Sequence, residues 1–131
     1  MDSDPTAKTK KRRVLVVDDE PLIRWSLTER LRDDGWIVQT AASVVTCRQA
    51  LATGQWDLLI CDVKLPDGSG MDVLRELQTN RAAPPVLMIT AHGDATVRAA
   101  AMSAGAIALI DKPFDIDMLA AQARVIADVR G

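Results

Sequence analysis

Cysteine and histidine are scarce in this 131-residue sequence, which contains two cysteines and one histidine. Cys47 and Cys61 lie 14 positions apart without a CxxC pair, and His92 cannot complete a common zinc site with them. The sequence therefore indicates neither a disulfide framework nor a structural zinc site. We expect both cysteines to be buried or partly buried free thiols.

The sequence also lacks long apolar runs and a strong charge of either sign. No stretch is long enough to cross a bilayer, and no apolar core follows the N-terminal charges as it would in a signal peptide. We therefore expect a cytoplasmic protein that does not enter a membrane. The 16 Lys plus Arg and 18 Asp plus Glu give a formal net charge of -2, which does not indicate nucleic-acid binding.

What is present suits one ordinary globular domain, because 48% of the residues are hydrophobic and 26% are charged. Residues 1–12 are polar, contain Pro5 and end in a basic run. We predict a flexible N-terminal tail over residues 1–12 and a single domain over residues 13–131. The basic run has no interleaved aromatic residues, which favours a solvated leader over a nucleic-acid-binding arm.

Short apolar runs rich in branched residues alternate along the chain with longer stretches of helical periodicity. This alternation is typical of a parallel sheet with helices on both faces. With right-handed crossovers, five strand–helix units predict an α/β fold, (βα)5, with a doubly wound five-stranded parallel sheet of flavodoxin-like type and strand order 2-1-3-4-5. The predicted strands are residues 14–17, 37–40, 58–61, 86–90 and 107–110.

Local signals mark several of the predicted helix ends. The first helix is indicated by Ile23, Leu27 and Leu31, which recur at helical spacing. Pro and Asp favour helix starts, whereas Gly favours the left-handed position just after a helix. The matching residues are Pro21 and Asp94 at starts, and Gly35 and Gly105 after ends.

Polar residues end or follow four of the five predicted strands. In an open doubly wound sheet, ligands bind beyond the carboxyl ends of the strands, so these residues should meet at one edge. Converging carboxylates repel one another unless a cation neutralises them. Mg²⁺ suits such a site because it accepts one or two protein carboxylates and leaves positions for water or phosphate oxygens. The residues are Asp18 and Asp19 after the first strand, Asp62 after the third, Thr90 at the end of the fourth, and Lys112 with Pro113 after the fifth.

Asp62 is the natural nucleophile of this set, because it stands between a strand of four apolar residues and a turn-forming segment. A carboxylate that attacks a phosphoryl group forms an acyl phosphate, and catalysis then depends on positioning and electrostatics. The amine of Lys112 and the hydroxyl of Thr90 are suited to bind the phosphoryl oxygens. Glu20 is given only a supporting role, since it also favours the positive end of the first helix.

Four segments in order resemble the receiver domain of bacterial two-component response regulators. Four spaced motifs are far more specific than a lone Asp-Asp or Lys-Pro pair. The resemblance covers residues 13–129 and implies a signalling domain rather than an enzyme with a separate substrate. Such a domain catalyses only its own phosphoryl transfer and autodephosphorylation. The segments are VLVVDDEP (residues 14–21), LLICDVKLPDGSG (58–70), LMITAHGD (87–94) and ALIDKPFD (108–115).

The resemblance also implies roles for individual residues. Asp62 would accept phosphate from the phosphohistidine of a sensor histidine kinase. Asp19 would bind Mg²⁺ directly and Asp18 largely through metal-bound water, while the backbone carbonyl of Lys64 completes the protein ligands. Phosphorylation would repack the face formed by the fourth helix, fifth strand and fifth helix, and a phosphorylation-dependent homodimer is one expected result.

Other expected roles concern the surroundings of the phosphoryl group. Thr90 and Lys112 match the hydroxyl and amine that contact it, and the bond from Lys112 to Pro113 matches one that is usually cis. His92 and Lys64 would border the group and influence how fast it hydrolyses.

Leu109 departs from the family pattern. Its position, three residues before Lys112, holds Tyr or Phe in the family and forms a switch with Thr90. Leucine can fill an apolar pocket but offers neither a ring edge nor a phenol. The usual coupling between hydroxyl and aromatic ring is therefore in question here.

Two other functions compete with the receiver interpretation. A haloacid dehalogenase-type aspartyl-phosphate phosphatase would use a similar nucleophile, lysine and Mg²⁺, but it needs a general acid two residues after the nucleophile, where this sequence has Lys64. A nucleotide- or flavin-binding module would need a glycine-rich loop after the first strand, where this sequence has Asp-Asp-Glu-Pro.

The segments PLIRWSL and KPFDID resemble receivers at the front of sigma-54-type transcription activators. Because the sequence ends at Gly131, we expect DNA binding and transcription regulation only through an output domain outside this chain. Each of the three tryptophans adjoins an element boundary, which predicts partial burial. Kinase docking is the alternative role for Trp25, which stands on the helix after the acidic pair. The tryptophans are Trp25, Trp36 and Trp56.

Overall fold

The computed structural model describes residues 11–130, and most of the predicted tail lies outside this range. Strands and helices alternate five times, which confirms the (βα)5 prediction. The strands of the main sheet are β1 Arg13–Val17, β2 Ile37–Ala41, β3 Leu58–Asp62, β4 Val86–Thr90 and β5 Ala108–Asp111. The helices are α1 Pro21–Asp33, α2 Val44–Thr53, α3 Gly70–Leu77, α4 Ala95–Ser103 and α5 Ile116–Arg130.

The five strands form one parallel sheet in the order β2-β1-β3-β4-β5, as predicted. Every residue of β3 and β4 is buried, because helices cover both faces of the sheet at its centre. The chain leaves β1 toward β2 on one side and leaves β3 toward β4 on the other. The crevice between the carboxyl ends of β1 and β3 is therefore the topological switch point, where ligands bind in such sheets.

Two apolar layers sandwich the sheet. Alternate residues of each strand point to opposite faces, so Leu15 and Val17 join one layer while Val14 and Val16 join the other. The first layer includes residues of α2, α3 and α4, and the second includes residues of α1 and α5. Both cysteines are free and buried in the first layer, as expected.

The helix ends lie where the local signals predicted them. Pro21 begins α1, and the Asp94 side chain caps α4 by accepting a hydrogen bond from the Val97 amide at 2.9 Å. Gly35 and Gly105 have φ angles of 92° and 104°, which a side chain would disfavour.

The loop after β3 is more ordered than the predicted turn. Residues Lys64–Leu65 pair antiparallel with Gly68–Ser69 in a short ribbon. The Asp67 carboxylate accepts hydrogen bonds from the amides of Val44 (2.7 Å) and Val45 (3.0 Å), which fastens this ribbon to the start of α2. Gly70 then passes so close to β3 that a Cβ there would lie 2.2 Å from the carbonyl oxygen of Asp62.

The tryptophans differ in burial. Trp36 and Trp56 are buried, but Trp25 is 63% exposed, so the prediction of partial burial is wrong for that residue. Trp25 lies on the outer side of α1, away from Leu27 and Leu31, which enter the core. Among the described residues, no helix has both the length and the apolarity to cross a membrane.

Candidate functional site

Three buried polar side chains mark the carboxyl edge of the sheet. Among the residues that the structure describes, only Asp18, Asp62 and Thr90 are both polar or charged and buried. Asp62 and Thr90 are the last residues of the adjacent central strands β3 and β4, and Asp18 directly follows β1. Because burial of polar groups is costly, their concentration at the switch point indicates a functional site.

Three carboxylates come together in this crevice. One oxygen from each of Asp18, Asp19 and Asp62 lies within 4.8 Å of the others, and Asp19 is exposed while the other two are buried. Such a set of hard oxygen donors fits Mg²⁺, which takes few protein carboxylates and keeps open positions for other oxygens. The predicted ligand role of the Lys64 carbonyl stays a prediction. The amide of Lys64 donates a hydrogen bond to Oδ1 of Asp62 at 3.2 Å.

Lys112 supplies the positive charge of the site. Its Nζ lies 2.8 Å from a carboxylate oxygen of each of Asp18, Glu20 and Asp62. Burial disfavours the charged amine, but the hydrogen bonds to these three carboxylates outweigh that effect and raise its pKa. Lys112 therefore stays protonated and can offer N–H donors to an anionic group. Glu20 contacts Lys112 directly, beyond the supporting role given to it from the sequence.

The buried position of Asp18 disfavours its negative charge. Burial raises its pKa, although the hydrogen bonds from Lys112 and from the Glu20 amide act in the opposite direction. The nearby Asp62 carboxylate adds to the increase by repulsion. The site thus keeps a buried charge that the fold alone would not favour, as expected where function limits stability.

We expect Asp18→Asn to stabilise the chain against unfolding by on the order of 1 kcal/mol at about pH 7 without Mg²⁺, because the amide avoids burial of a charge. The folded-state pKa of Asp18 is raised above its usual 3.8, so the folded carboxyl takes up its proton first as the pH falls. The advantage should therefore disappear as the pH falls through that raised pKa. Urea unfolding at two pH values measures this, and an advantage that persists in acid would contradict it. Asp72→Asn, at an exposed position on α3, is the control.

Thr90 connects β4 to the loop over residues 91–94. Its Oγ1 accepts a hydrogen bond from the His92 amide at 3.1 Å, and its carbonyl accepts one from the Lys112 amide at 2.7 Å. Lys112 and the exposed His92 border a cleft of about 240 Å³, which Asp62 also lines. The cleft is open to solvent and could admit a phosphoryl group.

The remaining predicted residues lie around this cleft or behind it. The peptide bond between Lys112 and Pro113 is cis, in agreement with the resemblance. Leu109 is buried in the apolar layer shared with α4, and its carbonyl accepts a hydrogen bond from Nη1 of Arg98 at 3.1 Å. Leucine therefore fills the position of the family's switch aromatic as an ordinary core residue.

Two contacts were missed by sequence reasoning. Arg98 on α4 forms an ion pair with Asp111 at 2.8 Å, and Asp67 caps α2. The partners are 13 and 23 residues apart in sequence, and no motif or periodicity links such positions. The one available signal in the sequence was Asp111, which stands beside Lys112 and so adds a further acid at the same edge of the sheet.

A family model described as the response regulator receiver domain matches residues 14–124. Among curated proteins, response regulator protein PmrA of Pseudomonas aeruginosa is 36% identical over 114 residues, which cover 87% of this chain and 52% of the relative. The probable transcriptional regulatory protein TcrX of Mycobacterium tuberculosis is 36% identical over 113 residues, covering 86% of this chain and 48% of the relative. The chain thus spans about half the length of these curated relatives.

Solved structures show the same fold. A CheY-like receiver domain protein from Methanospirillum hungatei has a TM-score of 0.86 at 27% identity, covering 91% of this chain and 95% of its own. The beryllofluoride-activated NtrC4 receiver domain dimer has a TM-score of 0.84 at 28% identity, covering 91% of this chain and 98% of its own.

Proposed function

Because the chain belongs to the response regulator receiver domain family, we propose that Asp62 accepts the phosphoryl group that carries its signal. The observation that carries the proposal is the contact between Asp62 Oδ2 and Lys112 Nζ at 2.8 Å, inside a group of three carboxylates at the switch point. A receiver domain is a signalling domain, so this family membership also displaces the phosphatase alternative. The phosphatase would also need a general acid two residues after Asp62, where this chain has Lys64.

The proposed transfer uses the groups already in place. An oxygen of Asp62 attacks phosphorus, the bond from phosphorus to the donor breaks, and an acyl phosphate forms on the carboxylate. Lys112 is positioned to bind a phosphoryl oxygen, and Thr90 offers its hydroxyl from the neighbouring strand end. Because Lys112 already lies between three carboxylates, it can exchange one of them for a phosphoryl oxygen without crossing the site.

We propose Mg²⁺ as the cofactor, held by Asp18, Asp19, Asp62 and the carbonyl of Lys64. When bound, the ion would neutralise negative charge on the carboxylates and on the incoming phosphoryl oxygens. The protein contributes the oxygens that fix the position of the ion and the rigid strand end that fixes Asp62. Omission of Mg²⁺ should therefore slow phosphorylation.

Incubation with acetyl phosphate and Mg²⁺, followed by measurement of intact mass, tests the proposal. Borohydride reduction converts an aspartyl phosphate to homoserine, so peptide sequencing by mass spectrometry then locates the modified residue. We expect one phosphoryl group, at Asp62. No gain in mass, or a label on another carboxylate, would refute the assignment. A parallel sample with a chelator measures the Mg²⁺ dependence.

We expect His92→Ala and Lys64→Ala each to change the lifetime of the phosphoryl group without preventing its formation. Both residues line the cleft, where they could admit or exclude the water that hydrolyses the acyl phosphate. The measurement is the decay of the phosphorylated mass after removal of acetyl phosphate. Lifetimes equal to that of the wild type in both variants would count against this role, and Arg75→Ala, at an exposed position on α3 that does not line the cleft, serves as the control.

We propose that a sensor histidine kinase supplies the phosphoryl group in the cytoplasm, and that residues 13–131 form the receiver domain. DNA contact would depend on an output domain. The sigma-54 type remains a prediction from the sequence.

The face formed by α4, β5 and α5 is the proposed output surface. Phosphorylation would favour a homodimer through this face, and the related NtrC4 receiver domain, a dimer in its beryllofluoride-activated form, supports a homodimer. Exposed apolar side chains on or beside these elements would gain from burial there. They are Met102, Ile107, Met118, Val125 and Val129.

A further inference from the structure

Helix α4 is weakly packed on the sheet. Ala101 is its only fully buried residue, and Val97 and Ala100 are partly buried beside it. A helix that buries so little apolar surface gains little stability from the core. Individual polar contacts between α4 and the sheet therefore contribute a large part of the stability that keeps α4 in place.

Arg98 provides such contacts. Its Nη2 donates to Oδ2 of Asp111 at 2.8 Å, and its Nη1 donates to the carbonyl oxygen of Leu109 at 3.1 Å. One guanidinium thus joins α4 to a side chain and to the main chain of β5. The planar arrangement of its donors makes Arg well suited to two such acceptors.

Asp111 also touches the loop that leads from Thr90 to α4. A Cβ on Gly93 would lie 1.7 Å from Oδ1 of Asp111, so the backbone of this glycine passes directly against the carboxylate. Thr90 and Asp111 are paired in register on β4 and β5, and Asp111 immediately precedes Lys112. Asp111 is therefore next to both proposed phosphoryl-binding residues.

We propose that the Arg98–Asp111 ion pair is a latch that holds α4 on β5 and opens when Asp62 is phosphorylated. This inference rests on the proposed function of Asp62. Movement of the Thr90 hydroxyl toward a phosphoryl oxygen would disturb its hydrogen bond with the His92 amide. The loop would then shift at Gly93.

A shift at Gly93 reaches the latch without passing through the position of Leu109. Because the glycine backbone lies against the Asp111 carboxylate, its movement changes the room available to that carboxylate and hence its distance from Arg98. Phosphoryl binding by Lys112 would also pull on Asp111, the residue that immediately precedes it at the end of β5. The latch thus replaces the coupling between hydroxyl and aromatic ring that Leu109 cannot provide.

Hydrogen exchange of the α4 amides, followed by mass spectrometry, tests the latch in the full chain. Without a phosphoryl mimic, Arg98→Gln and Asp111→Asn should each speed exchange in α4 by about threefold, because both side chains are half exposed and the pair is correspondingly weak. The double variant should be no faster than Arg98→Gln, since that single variant already lacks the contact with Asp111. Arg75→Gln, which breaks an exposed ion pair on α3, is the matched control.

Gly93→Ala provides a second probe that keeps both charges. The new Cβ would displace the Asp111 carboxylate, so exchange in α4 should rise as it does in Asp111→Asn. With beryllium fluoride and Mg²⁺, exchange in α4 of the wild type should also rise, whereas the latch variants should show little further change.

Two results would overturn the inference: α4 exchange in Arg98→Gln and Asp111→Asn equal to the wild type, or no response of wild-type α4 to beryllium fluoride in a chain that acetyl phosphate modifies at Asp62. A wild-type chain that gains no phosphate would instead refute the proposed function. Intact mass distinguishes the two failures. A general loss of stability is recognised by faster exchange in α1 and α5 as well.

Discussion

Asp62→Asn is expected to abolish the gain of mass with acetyl phosphate and to leave the fold intact. Asparagine has nearly the same shape as aspartate, and its side-chain oxygen can still accept the hydrogen bond from the Lys64 amide. Its neutral amide is a far weaker nucleophile than a carboxylate, so the step that forms the acyl phosphate is lost. The variant also removes the repulsion that helps to raise the pKa of Asp18.

The stability of Asp62→Asn follows from two opposing changes. Lys112 loses one of its three carboxylate partners, and Asp18 loses a nearby like charge. We expect the free energy of unfolding to change by no more than about 1 kcal/mol, since these effects offset each other. Urea unfolding measures this change.

Asp72→Asn is the matched control for the chemistry, because it makes the same substitution at an exposed position on α3. This variant should gain phosphate as the wild type does. Equal gain in Asp62→Asn and the wild type would place the phosphoryl group elsewhere. No gain in Asp72→Asn would show that the substitution type, rather than its position, determines the outcome.

The fold was predictable because burial determines the sequence pattern of each strand. Strands covered on both faces are apolar along nearly their whole length, as in the first four residues of β4, and such runs are visible without a structure. The carboxyl ends of parallel strands then meet at one edge, which brings Asp18, Asp62 and Thr90 together from distant parts of the sequence. Most of the predicted site therefore follows from the order and direction of the strands.

Contacts between side chains on different elements were not predictable in the same way. The Arg98–Asp111 pair depends on how α4 lies on β5, and charged surface residues have many possible partners before that geometry is known. The capping of α2 by Asp67 likewise depends on the path of a loop. The exposure of Trp25, by contrast, was available from periodicity, because this residue is out of phase with Leu27 and Leu31.

Lys112→Met should lower the free energy of unfolding by about 3 kcal/mol near neutral pH without Mg²⁺, because it leaves buried carboxylates without their counter-charge. Methionine retains much of the length of lysine but has no positive charge. Oxygens of Asp18, Glu20 and Asp62 would lose the ammonium that lies 2.8 Å from each. The variant should also bind a phosphoryl mimic poorly.

The pH dependence identifies the cause of this loss. In the wild type, burial raises the pKa of Asp18 above its usual 3.8, and the hydrogen bond from Lys112 limits the increase. Without Lys112 the folded-state pKa should rise further, so the folded variant takes up its proton before the unfolded chain does as the pH falls. The stability difference from the wild type should therefore shrink in acid. A loss caused by poorer packing would not depend on pH in this way.

The stabilisation that Lys112 itself contributes depends on pH in the opposite direction. Burial disfavours its charge, but its hydrogen bonds to three carboxylates raise its pKa in the folded state. The stabilisation is therefore complete below the unfolded pKa of about 10.4 and is lost only as the pH rises through the folded value. Near neutral pH the wild type keeps the full contribution, which makes this the condition for the comparison.

Urea unfolding of wild type and Lys112→Met, followed by the fluorescence of the buried Trp36 and Trp56, measures the effect at several pH values. Lys64→Met is the matched control, because it removes an exposed lysine from the rim of the same cleft. Added Mg²⁺ should restore part of the lost stability in Lys112→Met by binding the carboxylates that have lost their cation. Unchanged stability at neutral pH, or a deficit that neither acid nor Mg²⁺ reduces, would contradict the idea that Lys112 neutralises this acidic site.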